Sequence, residues 1–190
     1  MKCKLGDKAK IFFGPYCKAS ESGEAKYLLA SHFDSHYRPS RFALSYVNVE
    51  QKLAKGLLQH NDVILAGKGQ RSFAWAYNED FGPCIPSSVF FVIRVVDEQI
   101  IPAYLALYLN SERVQNQLRL ISAGGTIPSI PKKELQQLTI SVPSVQQQHG
   151  IIAMAELLEE DLTLTEKLIE HKKALQKTIL NKMITNEIQL

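Results

Sequence analysis

The sequence predicts an α+β fold of irregular α/β order, followed by one long C-terminal α-helix. Three observations carry that prediction. Short runs of β-branched and aromatic residues, above all SSVFFVIRV at 87–95, lie between Gly- and Pro-rich connections and have the composition of strands. Helical spacing interrupts these runs only after Pro102, so the regular alternation of a βαβ architecture is missing. From about Gly150 to Met183 there is no proline and no further glycine, and apolar side chains recur at Ile151, Ala155, Leu158, Leu162, Leu168, Leu175, Ile179 and Met183. Spacings of three and four, interrupted at Thr165 and Lys172, put these on one stripe of a helix.

That helix would be roughly 50 Å long at the usual rise per residue, more than a small globular core can cover. Its charges are polarised. Glu156, Glu159, Glu160, Asp161, Glu166 and Glu170 occupy the first half, and His171, Lys172, Lys173, Lys177 and Lys182 the second. Acid early and base late suits the helix dipole and makes the helix complementary to an antiparallel copy of itself. An antiparallel coiled coil, most simply in a homodimer, is therefore predicted. The division predicted is a globular domain over 1–148 and a helical segment over 149–190.

Composition bounds the rest. With 45% hydrophobic and 22% charged residues the chain has the make-up of a folded protein. A net charge of +3 gives no overwhelming basic field. No apolar run approaches the ~20 residues of a membrane span, and the N-terminus lacks the apolar core of a signal peptide. Cys3, Cys17 and Cys84 are odd in number and scattered, as expected of reduced thiols rather than a disulfide framework. The expected location is the cytoplasm.

In chain order, 5–14 predicts a short opening element and a strand, and 15–26 a polar loop. KYLLASHFD from Lys26 predicts a strand and turn. Arg38, Pro39 and Arg41 fall in an exposed loop ahead of a strand at 43–49. Strands at 62–66 and 73–77 are joined by Gly67, Lys68, Gly69, Gln70, Arg71 and Ser72, a glycine-flanked polar connection expected to stand out in solvent. Pro102, tolerated in a first helical turn, opens a helix to about Leu120. A loop at 123–131, a short strand ended by Pro143 and the long helix complete the chain.

Most candidate chemistry fails on spacing. His32 and His36 have the i, i+4 interval of paired metal ligands, but no third ligand is placed and Pro39 follows closely. Pro83-Cys84 matches the dipeptide of cytosine methyltransferases, whose thiolate attacks the base, yet the glycine-rich cofactor loop such enzymes need is missing. Gly67-Lys68-Gly69 lacks the first glycine and the Ser/Thr of a phosphate loop. No metal, cofactor or catalytic residue is assigned, and the chain has the features of a binder. Lys68, Gln70, Arg71 and Ser72 in one loop, with Lys18, Arg38 and Arg41 in others, are the candidate DNA contacts: Arg and Lys can grip phosphates or guanine edges, and Gln can pair with adenine.

A series of stretches resembles a target-recognition domain of the DNA-specificity subunit of type I restriction-modification systems. These are LGDKAKIFFG, NDVILAGKGQ, CIPSSVFFVIRV with IIPAYLALYLNSE, and GGTIPSIPKKELQQLTISVPSVQQQHGII opening into the long helix. In the last, Gly125, Ile130, Leu135, Leu138, Ile140, Val142, Pro143 and Gln148 match the family's glycine-rich turn, short strand ending in proline and glutamine ahead of the helix. Pro143-Ser144 and Gln147-Gln148 depart from its double proline and acidic-Gln pair. The resemblance covers nearly the whole chain, and its order is more specific than any one motif. It implies a non-catalytic subunit that chooses a double-stranded DNA target for a DNA adenine methyltransferase subunit and, through it, a restriction motor. A full subunit of the family carries two such domains separated by two antiparallel helices, so one domain and one helix resemble half of one. Two identical chains would then read inverted half-sites. The alternative is a protein-interaction module that titrates methyltransferase or specificity subunits without reading DNA.

Overall fold

A computed structural model describes residues 1–40, 45–122 and 127–185. The chain divides into two units, Met1–Gln148 and the residues from His149 onward, and each is described by itself.

The first unit is built on a four-stranded antiparallel sheet in the order β2 (Ala9–Phe13), β8 (Phe90–Val95), β5 (Asp62–Ala66) and β6 (Ala74–Ala76). β5 pairs with β8 from Asp62↔Arg94 to Ala66↔Phe90, and β2 with β8 from Ala9↔Val95 to Phe13↔Phe91. Alternate side chains serve two cores, as the two-residue period of a strand requires. Val63, Leu65, Phe91 and Ile93 pack with Leu105, Leu109, Val114 and Leu118 of the helices α3 (Pro102–Asn110) and α4 (Glu112–Ile121). Ile64, Ala66, Phe90 and Val92 pack on the opposite face with Leu28, Phe33, Phe73 and Cys84. β5 lies between the two cores, so all its residues are buried, the charged Asp62 at its start included.

The second face is covered by a three-stranded sheet in the order β4 (Ser45–Val47), β3 (Ala25–Leu28), β7 (Cys84–Pro86), with β3 antiparallel to β4 and parallel to β7. A two-stranded sheet joins β1 (Lys2–Lys4) to β9 (Thr139–Ser141) from the far end of the unit. Three short helices complete it: α1 (Leu5–Lys8), α2 (Gln51–Ala54) and α5 (Lys132–Gln137).

Several expectations are corrected. The strand predicted over 87–95 begins at Phe90, because Ser87 donates its N–H to Leu28 O and accepts from the Phe90 N–H, closing a turn. The strand predicted at 43–49 is described only as β4, residues 43 and 44 lying outside the described residues. The helix predicted from Pro102 to Leu120 is two helices broken at Ser111, which is extended at φ −61°, ψ 143°. The break has a cause in Asn110. Its carboxamide accepts from the Ala74 N–H at 2.7 Å and donates to Ala74 O at 2.8 Å, supplying the free edge of β6 with the partners that a further strand would give.

The helix expected from about Gly150 starts earlier. α6 runs Val145–Ile184, 40 residues, because Ser144 and Gln147 cap one another. Gln147 Oε1 accepts from the Ser144 N–H at 3.1 Å and Ser144 Oγ accepts from the Gln147 N–H at 3.3 Å, a capping box. Along α6, Ile151, Leu158, Leu162, Leu168, Leu175 and Ile179 are exposed, and Ala155 and Met183 partly so. Leu157, Leu164, Ile169 and Leu180 are exposed as well, so the apolar face is broader than a single stripe. No described helix is long and apolar enough to cross a membrane.

Candidate nucleic-acid interface

The connection from β5 to β6 is where the sequence concentrates polar side chains, and local sterics decide its path. A Cβ on Gly67 would lie 2.3 Å from the Phe91 ring, so only glycine lets the chain turn off β5 over that ring. The turn is then stitched to residues 128–130. Ile130 donates its N–H to Gly67 O at 2.8 Å, Lys68 bridges to Ser129, and Gly69, at φ 102°, donates to Pro128 O at 2.9 Å. The expectation of a loop standing free in solvent is corrected here: the first half is tied down through its backbone.

The second half is tied through a side chain. Arg71 donates from Nη1 to Phe33 O at 3.0 Å and from Nη2 to Asp34 O. Its guanidinium lies over the rings of Tyr37 and Phe73, 5.5 and 5.0 Å from their centroids. Those rings are themselves parallel, 5.4 Å apart. The anchored 33–40 loop closes on itself. Asp34 Oδ1 accepts from the N–H groups of His36 and Arg38, Asp34 donates its own N–H to Arg38 O, and Ser40 donates to His32 O. Tyr37 stands in the left-handed region at φ 62°, a conformation a bulky residue adopts only where its surroundings fix it.

Between this loop and α4 lies a groove of about 490 Å³. One wall carries Tyr37, Gln70, Arg71 and Ser72; the other carries Gln115, Arg119 and Ser122 of α4 and the turn after it; Leu118 and Ile130 lie between them. Gln115 is held by its Nε2, which donates to Leu109 O at 2.8 Å, and Arg119 donates to the Asn116 side chain. Ser72 Oγ is buried and has no hydrogen-bond partner among the described residues. The Arg119 guanidinium, the carboxamides of Gln70 and Gln115 and the Ser122 hydroxyl offer donors and acceptors suited to phosphates and base edges.

The candidate DNA contacts are thus only partly gathered. Gln70, Arg71 and Ser72 line the groove, and Arg38 is exposed in the loop that supplies Tyr37. Lys68 points elsewhere, with Nζ 4.9 Å from the Phe13 ring centroid. Lys18 is exposed between β2 and β3 and is not among the groove's lining residues, and Arg41 lies outside the described residues. Sequence reasoning missed Tyr37, Gln115, Arg119 and Ser122. The interval 115, 119, 122 is the i, i+4, i+7 spacing of one helix face, a signal that was hidden while the segment was read only for its apolar residues.

The discarded chemistry has a structural account. Cys84 is fully buried in β7, its Sγ 3.2 Å from Gly82 O, and burial pushes its thiol up to about 12, so it is not a thiolate near neutral pH. His32 Nδ1 accepts from the Leu29 N–H at 3.2 Å, and burial lowers its pKa. The helix that the i, i+4 pairing of His32 with His36 requires is not formed: Ala30–His32 is a single 3-10 turn.

Solved structures share this fold. The S subunit of a type I restriction-modification system from M. genitalium matches at 15% identity with a TM-score of 0.61, covering 97% of this chain and 46% of that one. The HsdS subunit from Thermoanaerobacter tengcongensis matches at 17% identity and a TM-score of 0.62, covering 96% and 44%. A chain from a structure concerned with complex assembly and conformational transition of the type I R-M system matches at 17% identity and a TM-score of 0.69, covering 96% and 45%. The chain therefore spans less than half the length of the solved chains it matches. No curated protein sequence matches it. Residues 2–172 match the family described as type I restriction modification DNA specificity domain, and the chain belongs to that family.

Proposed function

We propose that this chain is the target-choosing part of a type I restriction-modification assembly: it binds double-stranded DNA in a sequence-dependent way and catalyses nothing itself. In this reading it works in the cytoplasm, delivering the choice to a DNA adenine methyltransferase subunit and, through that, to a restriction motor. The observation that carries the proposal is the two-walled polar groove, in a chain of the DNA specificity family. Arg119 and Gln70 face it from opposite walls and are the groups offered for base readout, while Lys68 and Lys18 supply diffuse attraction to phosphate. Binding is accordingly expected to weaken steeply with salt.

The test is methylation of a mixed-sequence duplex library by the chain together with its methyltransferase. One enriched sequence is expected. Gln70→Ala or Arg119→Ala should each reduce discrimination at one position by about 10- to 100-fold, the worth of a lost bidentate pair. Methylation with no sequence preference would overturn the proposal, and binding of methyltransferase without DNA preference would identify a titrating module.

The open apolar face of α6, with acid early and base late, supports an antiparallel pairing with the same helix of a second chain. Light scattering is expected to give a dimer for the intact chain and a monomer for a truncation ending at Gly150. A monomer in both would assign the face to another protein. Two chains so paired would read inverted half-sites.

A further inference from the structure

We infer that Arg71 is a positioning residue for DNA recognition and not itself a DNA contact. The inference deepens the proposed function and rests on it. Arg71 is exposed at the groove, yet its hydrogen bonds and ring contacts are all made to its own domain. Each terminal nitrogen donates to a carbonyl, Nη1 to Phe33 O and Nη2 to Asp34 O, and the guanidinium carbon lies over the rings of Tyr37 and Phe73. A guanidinium that swung out to a phosphate or a guanine edge would give up that grip, and those carbonyls would lose charge-assisted donors. What the grip holds is the 33–40 loop, whose Asp34 carboxylate accepts the N–H groups of His36 and Arg38 and whose Tyr37 is kept in the left-handed region. One wall of the groove is therefore set by a contact made across the fold from the β5–β6 connection. Arg119, on the opposite wall, is held within its own helix: Nη2 donates to the Asn116 side chain and Nε makes a long contact to Gln115 O at 3.4 Å, both one turn back along α4.

The roles separate in the salt dependence of binding and in the choice of replacement. A phosphate contact adds about 0.9 to the slope of log K against log salt, and a lysine can replace it as a point charge. A fork gripping two carbonyls beneath two rings cannot be replaced by an ammonium. The experiment uses the full chain with its methyltransferase and a mixed-sequence duplex of about 30 base pairs, long enough for the phosphate contacts to set the slope. Arg71→Ala and Arg71→Lys are both expected to weaken binding about tenfold with an unchanged slope, whereas Lys68→Ala, at a group offered to phosphate, lowers the slope by about 0.9. Amide hydrogen exchange on the free chain should show faster exchange at His36 and Arg38 in both Arg71 variants and in neither wall of Arg119→Ala.

Near-normal binding by Arg71→Lys, or a slope reduced by about 0.9 in Arg71→Ala, would overturn the inference and make Arg71 a direct contact. Unchanged exchange at 36 and 38 would overturn it as well. If the unmodified chain binds no duplex, the proposed function fails, and the inferred role fails with it. Faster exchange in the Arg71 variants would then show only that the residue holds the loop. Denaturant midpoints of the variants separate loss of the loop from loss of the fold.

Discussion

Asp62→Ala is expected to lower the unfolding free energy by about 3–5 kcal/mol, the cost of breaking a buried ion pair by removing one partner. Asp62 is fully buried at the start of β5. Its carboxylate accepts from Arg94 Nε and Nη2, both at 2.8 Å, and from the Gln59 N–H at 2.8 Å. The same two residues face one another in the ladder between β5 and β8. The carboxylate holds the Arg94 guanidinium above its ordinary pKa, and the guanidinium lies 5.3 Å from the centroid of the Phe12 ring. Without Asp62 the guanidinium keeps only a long contact to Leu57 O at 3.4 Å. The Arg94 side chain retains 24% exposure, so water offsets part of the loss. Urea denaturation of Asp62→Ala, with the Asp62→Leu/Arg94→Met pair beside it, checks the account. The pair should recover most of the stability, because two matched apolar groups leave no charge stranded. A loss under about 1 kcal/mol for Asp62→Ala would place the pair among ordinary surface bridges.

Gln148→Leu is expected to cost about 2–4 kcal/mol, since each buried group left unpaired costs about 1–3 kcal/mol. The side chain is fully buried. Oε1 accepts from the Ile101 N–H at 2.9 Å, and Nε2 donates to Gln99 O at 2.7 Å and to Pro143 O at 3.0 Å. Three backbone groups, on the segments just ahead of α3 and of α6, are satisfied by one carboxamide from the first turn of α6. Glutamate cannot substitute: it can still accept from Ile101 but brings oxygen against two carbonyls. Gln148→Glu should therefore be destabilised like Gln148→Leu, and thermal or urea unfolding will show it. Stability within about 0.5 kcal/mol of the parent for either variant, the range of surface substitutions, would show that the three bonds are replaced by water.

The family resemblance already contained this glutamine, but not its partners, and the same division runs through the fold. β5 was legible to the residue because DVILA is a β-branched run between polar turns, and α6 because its apolar period lasts many turns. β1, α1, α2 and α5 span three to six residues, too short for a period to register. The break at Ser111 was hidden because its cause is a bond from Asn110 to Ala74, 36 residues away. In the candidate interface, Gln70, Arg71 and Ser72 were legible from residue type and loop position. The inward turn of Arg71 was not, because its acceptors are the carbonyls of Phe33 and Asp34, 38 and 37 residues earlier. Arg119 was overlooked for a different reason, since one face of α4 feeds the core and the eye follows the leucines.

The pairing of Lys2–Lys4 with Thr139–Ser141 has a consequence for how the chain is made. A ribosome adds residues in order, at about 5–20 per second. β1 therefore emerges well before β9 and waits for its partner through well over a hundred further additions, several seconds at that rate. During that interval the main sheet can close around β5 and β8, while the first strand remains an unpaired edge. Pairing of these two strands is then the capture of an early segment by a late one, and premature release of the nascent chain anywhere before residue 139 should yield a domain that is built but not fastened.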